Sequence, residues 1–493
     1  MELRDASPPS PAAPSALPPS LLAALSAPPL ERKAWMFGIA PQFIGLFLWV
    51  VYFDRLAPRT LGVGGLAWST LGAMAGGLLS YLLLYQGPAL WGQRTGRGLT
   101  VLGSSTFGAA GSEWITGVLV GLAQVVWFAV ATYYATDLTF QGFVSCSLID
   151  PQAIRPIVLG RWTLQGPVFL VTSLAWSYAA ALVGHYLVRI IAALMNVFPI
   201  FPALMLGLAM LLTLKGVASY RPLAPDPAAG AGWVVSRAGL SAFLMMIQLV
   251  FGFFATAGVM SADWGAVSRT PRDVTVGGLV GVAFASAIVA TLALLTVAGA
   301  AGCLANPGGA DLSFRAIVPR AIGGTLAGVM LLIFGLASLA PTTYAAFIFS
   351  HRFAAAWPRV SGLRWTLIGT AAAWPLIATG VAGRLEAIFG LMGAVFAPVA
   401  GAIAADASRS RLAWSGPRPG ASAAGLVAWV VGVAVGLVPT IAASWQIEPG
   451  TRFQPAALFA FLAAYLVFRV LAGLGAEPPA VPIPEPPAPV EPT

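Results

Sequence analysis

The chain has 493 residues, of which 58% are apolar and 9% charged, against roughly 25% charged in soluble globular domains. Forty-three charged side chains cannot coat a water-soluble body of this size, so the composition excludes a soluble protein and defines a polytopic membrane protein. Two cysteines and two histidines leave no material for a disulfide framework, an iron–sulfur centre or a multi-histidine metal site.

The net charge is +9, but 24 of the 26 basic residues are arginines scattered singly between apolar stretches. That pattern is not a nucleic-acid-binding stripe and fits loops facing anionic lipid. Residues 1–31 are rich in Pro, Ala and Ser and lack the features of a secretory signal. They read as a disordered tail, as does the Pro-rich stretch 476–493.

About 20 apolar residues span a bilayer, and that ruler predicts twelve spans. They lie near 34–54, 64–86, 113–136, 166–184, 190–214, 240–262, 275–301, 321–348, 365–382, 387–405, 423–444 and 454–474. An even number puts both tails on one side. Fifteen of the 26 basic residues then fall on the side holding the tails, which identifies that side as cytoplasmic and the host as the cell (inner) membrane. Cys146 and Cys303 both fall on outer loops, as a pair or as free thiols.

Transporters built from inverted repeats mark their site with two interrupted helices in corresponding positions of the two halves. Span 1 carries Gly38, Pro41 and Gly45 inside an apolar run; span 6, five helices later, carries Gly252 and Gly258 around Phe-Phe-Ala-Thr-Ala. A spacing of five suits a five-plus-five repeat, and close helix packing explains the same glycines. Span 3 holds Gln124 near its middle, where an unpaired amide is expensive. Trp127 follows three residues later, on the same face. A carboxamide beside an indole can bond the edge of a flat heterocycle and stack its face; a helix–helix hydrogen bond and a core indole is the alternative. Phe254 and Thr256 add a ring and a hydroxyl from span 6.

Asp263 and Asp406 close spans 6 and 10 beside Arg269, Arg272, Arg409 and Arg411, as interfacial carboxylates or as gate ion pairs. His185 and His351 sit at span ends. No G-x-x-x-x-G-K-[ST] motif is present, so the chain carries no nucleotide-hydrolysing loop of its own, and transport draws on an ion or substrate gradient. Clustered intramembrane carboxylates or histidines, which a membrane-embedded enzyme or sensor needs, are missing from the pattern.

Several segments together resemble the nucleobase:cation symporter-1 family, in particular its cytosine and purine–cytosine permease group. They are ERKAWMFGIAPQFIGLFLW, TLGVGGL, GAAGSEWITGVLVGLAQVVWF, GFFATAGVMSADWGAVSRTPRDV and APVAGAIAADASRSR. The resemblance implies an all-α, leucine-transporter-like fold. Its first repeat covers 32–214, its second 215–412, and two further helices occupy 413–475. It implies import of a nucleobase such as cytosine or a purine by alternating access, with Na⁺ or H⁺ as coupling ion, no other cofactor and no ATPase subunit. Allantoin, a hydantoin, uracil, or an amino acid or amine are the alternative cargoes. Substrate residues carry over to Gln124, Trp127, Gly252, Phe254 and Thr256. A sodium site carries over to Gly45 and Leu48 in the first span and to the eighth span, where the sequence departs from the family pattern. Ala337, Ala340 and Pro341 stand where an oxygen-bearing residue and a Thr-Thr pair are expected, and Thr342 and Thr343 follow just after.

Overall fold

The computed structural model of the chain describes residues 17–27, 31–38, 57–160, 162–187, 191, 194–195, 197–222, 237–305, 312–445 and 453–482. Ten of its helices are long and apolar enough to cross a membrane. In chain order the helices are α1 Pro19–Ser26 and α2 Trp35–Gly38, α3 Leu61–Thr95, and α4 Leu99–Thr106. Then come α5 Ala109–Ser145, α6 Pro167–Tyr186, α7 Ile200–Ser219, α8 Arg237–Ala266 and α9 Pro271–Cys303. The chain continues through α10 Phe314–Ile322, α11 Gly324–Ala356, α12 Gly362–Ala378 and α13 Leu385–Arg409. It ends with α14 Ala423–Ser444 and α15 Ala456–Gly473. A short antiparallel hairpin, β1 Ile157–Leu159 and β2 Trp162–Leu164, precedes α6.

The fold is an all-α membrane bundle, as the apolar ruler predicts. The expected ninth span appears as the 17-residue α12, and most of the expected first span, 34–54, lies outside the described residues. Just ahead of that span, Lys33 pairs its backbone with Val267 and Arg269, and the Trp35 N–H donates to Asp273 at 3.1 Å. These bonds seat its entrance beside the α8–α9 junction.

Two groups of helices face each other. The first contains α8 with α3 against it and α9 against α3; the second contains α5, α6, α11 and α12. Helix α13 joins α8 to α14 and α15. If the first span is counted, α3 and α9 are second and seventh and α5 and α11 third and eighth, and each of these pairs, five apart in the chain, packs together. Helices α3, α5 and α9 each contain a π-helical turn, at Ser80–Tyr85, Glu113–Leu119 and Leu279–Phe284, a feature that recurs at functional positions in membrane helices.

The sixth span departs from expectation. Helix α8 runs without interruption for 30 residues through Gly252 and Gly258. Its glycines serve close approach: a Cβ at Gly265 would collide with the Ala89 carbonyl of α3, and one at Gly252 with the Phe389 carbonyl of α13. Small residues at such crossings replace the hydrophobic drive that lipid does not supply between helices.

The tails differ too. Residues 19–26, within the stretch expected to be disordered, form α1; its Leu21 and the preceding Leu17 bury against Val101 of α4, Ala109 of α5 and Val481 near the other end of the chain. Glu477 pairs with Arg409 at 2.6 Å and Arg418 at 3.2 Å, and Val481 N–H donates to the Pro417 carbonyl. Burial pushes the Glu477 carboxyl above its ordinary pKa, against the pull of Arg418 and Arg409. Proline-rich composition leaves few apolar side chains, but three leucine and valine anchors suffice once the fold brings their partners together. Both cysteines are free: Cys146 donates to the Thr325 carbonyl and Cys303 to that of Thr213.

Gly265→Val tests the α3–α8 crossing. Overpacking of this kind costs about 1–3 kcal/mol, so the variant should melt at a distinctly lower temperature in detergent. An unchanged melting temperature would mean that this crossing does not limit stability.

Candidate substrate site between helices α5, α8 and α13

Trp127 lies at the midpoint of α5, eighteen residues from either end. Its indole Nε1 donates to the Thr256 hydroxyl of α8 at 2.9 Å, which fixes the ring plane. Around it stand Phe253 of α8, edge-on with centroids 5.6 Å apart, and Phe389 of α13, tilted at 5.8 Å. Phe253 and Phe389 also meet, at 5.4 Å, so three helices each supply one ring to a single cluster. Gly252 lets α13 approach closely enough for Phe389 to arrive there.

Gln124, one turn before Trp127, is 6% exposed and its amide donates to the Met260 sulfur at 3.3 Å. A thioether is a weak acceptor, so this amide is held less firmly than one bonded to a carbonyl. Phe254, buried and one residue past Phe253, reaches the cluster through a T-shaped contact with Phe253 at 4.9 Å. Every side chain in this cluster is uncharged. It offers π-faces, an indole N–H, a hydroxyl and a carboxamide, which suits a flat, neutral, hydrogen-bonding solute.

Phe253 and Phe389 carry no mark in the sequence. An isolated phenylalanine among apolar neighbours is what any membrane helix contains, and only the packing of α13 on α8 singles out these two.

Of the expected cation-site residues, Gly45 and Leu48 lie outside the described residues. Ala337, Thr342 and Thr343 lie at a bend in α11 around Ser338, where the eighth span divides into two helical stretches. Both threonine hydroxyls bond back to their own helix, Thr342 to the Ser338 carbonyl at 2.7 Å and Thr343 to the Ala340 carbonyl at 2.9 Å. The Thr343 carbonyl faces Gly184 of α6.

Ion pairs stand at both ends of the assembly. On the side that holds the tails, Asp263 of α8 pairs with Arg352 of α11. The same carboxylate accepts the Leu99 N–H of α4 at 2.8 Å, Arg352 also donates to the Thr100 hydroxyl at 2.7 Å, and Trp264 donates to the Tyr344 hydroxyl at 3.1 Å. Asp406 is 1% exposed and accepts from Ser105 and Thr106 of α4 and from Arg409. Asp406 is thus no solvated interfacial group, while Asp263 keeps 31% of its side chain exposed and pairs with Arg352, not with the adjacent Arg269 or Arg272. On the opposite side Arg59 holds Glu386 of α13 through both carboxylate oxygens, at 2.5 and 2.6 Å. His185 shares a 3.3 Å contact with Thr366, and His351 stacks on Phe347.

No protein-family model and no curated protein sequence matches the chain. Solved structures do. The chain is similar to the structure of Mhp1, a nucleobase-cation-symport-1 family transporter, in a closed conformation with bromovinylhydantoin bound: 18% identity, 93% of this chain and 96% of that one, TM-score 0.59. It is also similar to the inward-facing conformation of Mhp1, at 17% identity over 94% of this chain and 95% of that one, TM-score 0.60. The shared fold is the leucine-transporter-like one, in a multi-pass membrane protein.

The Asp263 junction makes a testable claim. Asp263→Ala strips Arg352 of its counter-charge and Leu99 of its acceptor, a loss of about 2 kcal/mol for hydrogen bonds to a charged group. Asp263→Ala combined with Arg352→Ala should then destabilise by less than the two single losses together, read from thermal unfolding in detergent. Additive losses would mean that the pair is not coupled.

Proposed function

We propose that this protein is a secondary active transporter of the cell membrane, with cytoplasmic termini, that imports a nucleobase such as cytosine or a purine by alternating access, coupled to Na⁺ or H⁺. The observation that carries the reading is the uncharged cluster of Trp127, Phe253 and Phe389 with Gln124 and Thr256 beside it, midway between ion pairs at either end. A nucleobase is flat, neutral at physiological pH and edged with donors and acceptors. The rings stack its faces, and Gln124 exchanges its weak bond to Met260 for a stronger one to the ring edge. Because the three rings touch one another here, cargo enters by separating them, and Thr256 then loses or shares its bond to Trp127. An enzyme reading finds no support in a cluster whose described side chains include no acid or base.

Alternating access follows from the ends. Opening towards the side of the termini breaks Asp263–Arg352, which joins α8 of one helix group to α11 of the other; opening the far side parts Arg59 from Glu386. Residues 32–214 and 215–412 act as the two repeats, and Gly45, Leu48, Ala337, Thr342 and Thr343 supply the coupling-ion site. Hard oxygen ligands, chiefly backbone carbonyls at the Ser338 bend, suit Na⁺.

A second cargo class, the hydantoins and allantoin, is favoured by the likeness to a transporter whose structure holds bromovinylhydantoin. Such rings present the same planar ureide edge to Gln124.

Uptake of labelled cytosine into proteoliposomes, with adenine, uracil and allantoin as competitors and with a Na⁺ gradient, a H⁺ gradient or neither, tests the proposal. Base-selective, gradient-driven uptake is expected. Trp127→Ala should weaken binding by about 1–3 kcal/mol, the worth of one base–aromatic stack, and Gln124→Leu should lose the bases while inserting normally, since leucine is favourable in lipid. Uptake of no ring compound, or wild-type affinity in Trp127→Ala, would refute it.

A further inference from the structure

One helical turn beyond the aromatic cluster, at the end remote from both termini, a cavity of about 590 Å³ opens between α8, α13, α14 and the start of α15. Leu249 and Leu385, four residues before Phe253 and Phe389, form part of its apolar wall together with Met245 and Pro439. Its polar lining is unlike that of the central cluster. Arg59, Arg384 and Gln248 face it as donors, and its one acid, Glu386, is already held by Arg59 through both oxygens.

The orientation of Gln248 is fixed. Its Oε1 accepts the Ala457 N–H at 2.8 Å, an assignment that the donor on Ala457 makes unambiguous. The amide NH₂ therefore faces away from α15 as a preset donor. Gln248 is only 8% exposed, and it shares the cavity lining with Arg384. A volume of this size suits a small molecule. Two guanidiniums and an oriented amide donor around an apolar wall select a ligand that brings a charged acceptor on a compact apolar body.

We propose that this cavity is a second binding site, separate from the central cluster, for a small organic monocarboxylate, and that the carboxylate competes with Glu386 for Arg59. The ligand's oxygens take Arg59, with Arg384 and the Gln248 amide as further donors, and its apolar body lies on Leu249, Leu385 and Pro439. Because Glu386 begins α13 and Arg59 precedes α3, occupancy loosens the tie between these two helices. The site thereby regulates opening of the remote side without contacting the central cargo.

Equilibrium binding of labelled benzoate to the purified full-length protein tests this, with benzamide as the uncharged isostere. One saturable benzoate site per chain that benzamide does not displace is expected. Arg384→Gln should weaken it at least tenfold, as should Gln248→Glu, which keeps the oxygen that caps Ala457 but replaces the donor by an anion. Glu386→Gln, which frees Arg59, should tighten it several-fold, and Trp127→Ala should leave it unchanged. No saturable binding, equal displacement by benzamide, or wild-type affinity in both Arg384→Gln and Gln248→Glu would overturn the proposal. Loss of benzoate binding in Trp127→Ala would place the anion in the central cluster and overturn it as well.

Discussion

The carboxylate of Asp263 ties three elements together at one end of the bundle. It closes α8, takes the first N–H of α4, and pairs with Arg352 at the end of α11. Helix α4 is thereby pinned at its start by Asp263, at Thr100 by Arg352, and at Ser105 and Thr106 by Asp406 of α13. The docked chain ends rest on the same helix through Leu17, Leu21 and Val481. This side of the molecule is thus one polar lattice, in which movement of α8 relative to α11 is felt by α4, α13 and both tails.

The contrast with the middle of the bundle is chemical. There the helices meet through rings, a hydroxyl, a thioether and a carboxamide, all of them uncharged. The two end pairs differ in setting: Arg352 and Asp263 are largely shielded, at 14% and 31% side-chain exposure, whereas Arg59 and Glu386 are 66% and 38% exposed, where an ion pair contributes little.

Much of the fold is legible in the sequence, because a bilayer forces backbone polar groups to be satisfied within each apolar stretch. Gln124 and Trp127 stand out for a related reason: an amide in mid-span is costly, and a neighbouring indole on the same face gives it a context. The sequence misleads where the partner is distant. Arg269 and Arg272 are beside Asp263 in the chain, but α11 delivers Arg352 from 89 residues away. Gly252 and Gly258 mimic a helix break, because close approach to another helix and an interrupted backbone both call for glycine. Phe253 and Phe389 are invisible until α13 packs on α8. The tails look disordered because their few anchors, Leu17, Leu21 and Val481, have meaning only against one another.

The central claim is that cargo sits among Trp127, Phe253 and Phe389, and a structure of the full chain determined with cytosine tests it most directly. The account predicts a planar density between the Trp127 indole and the two phenylalanine rings, with Gln124 turned from Met260 to its edge. Density elsewhere, with the three rings still in contact and Gln124 still on Met260, would contradict it.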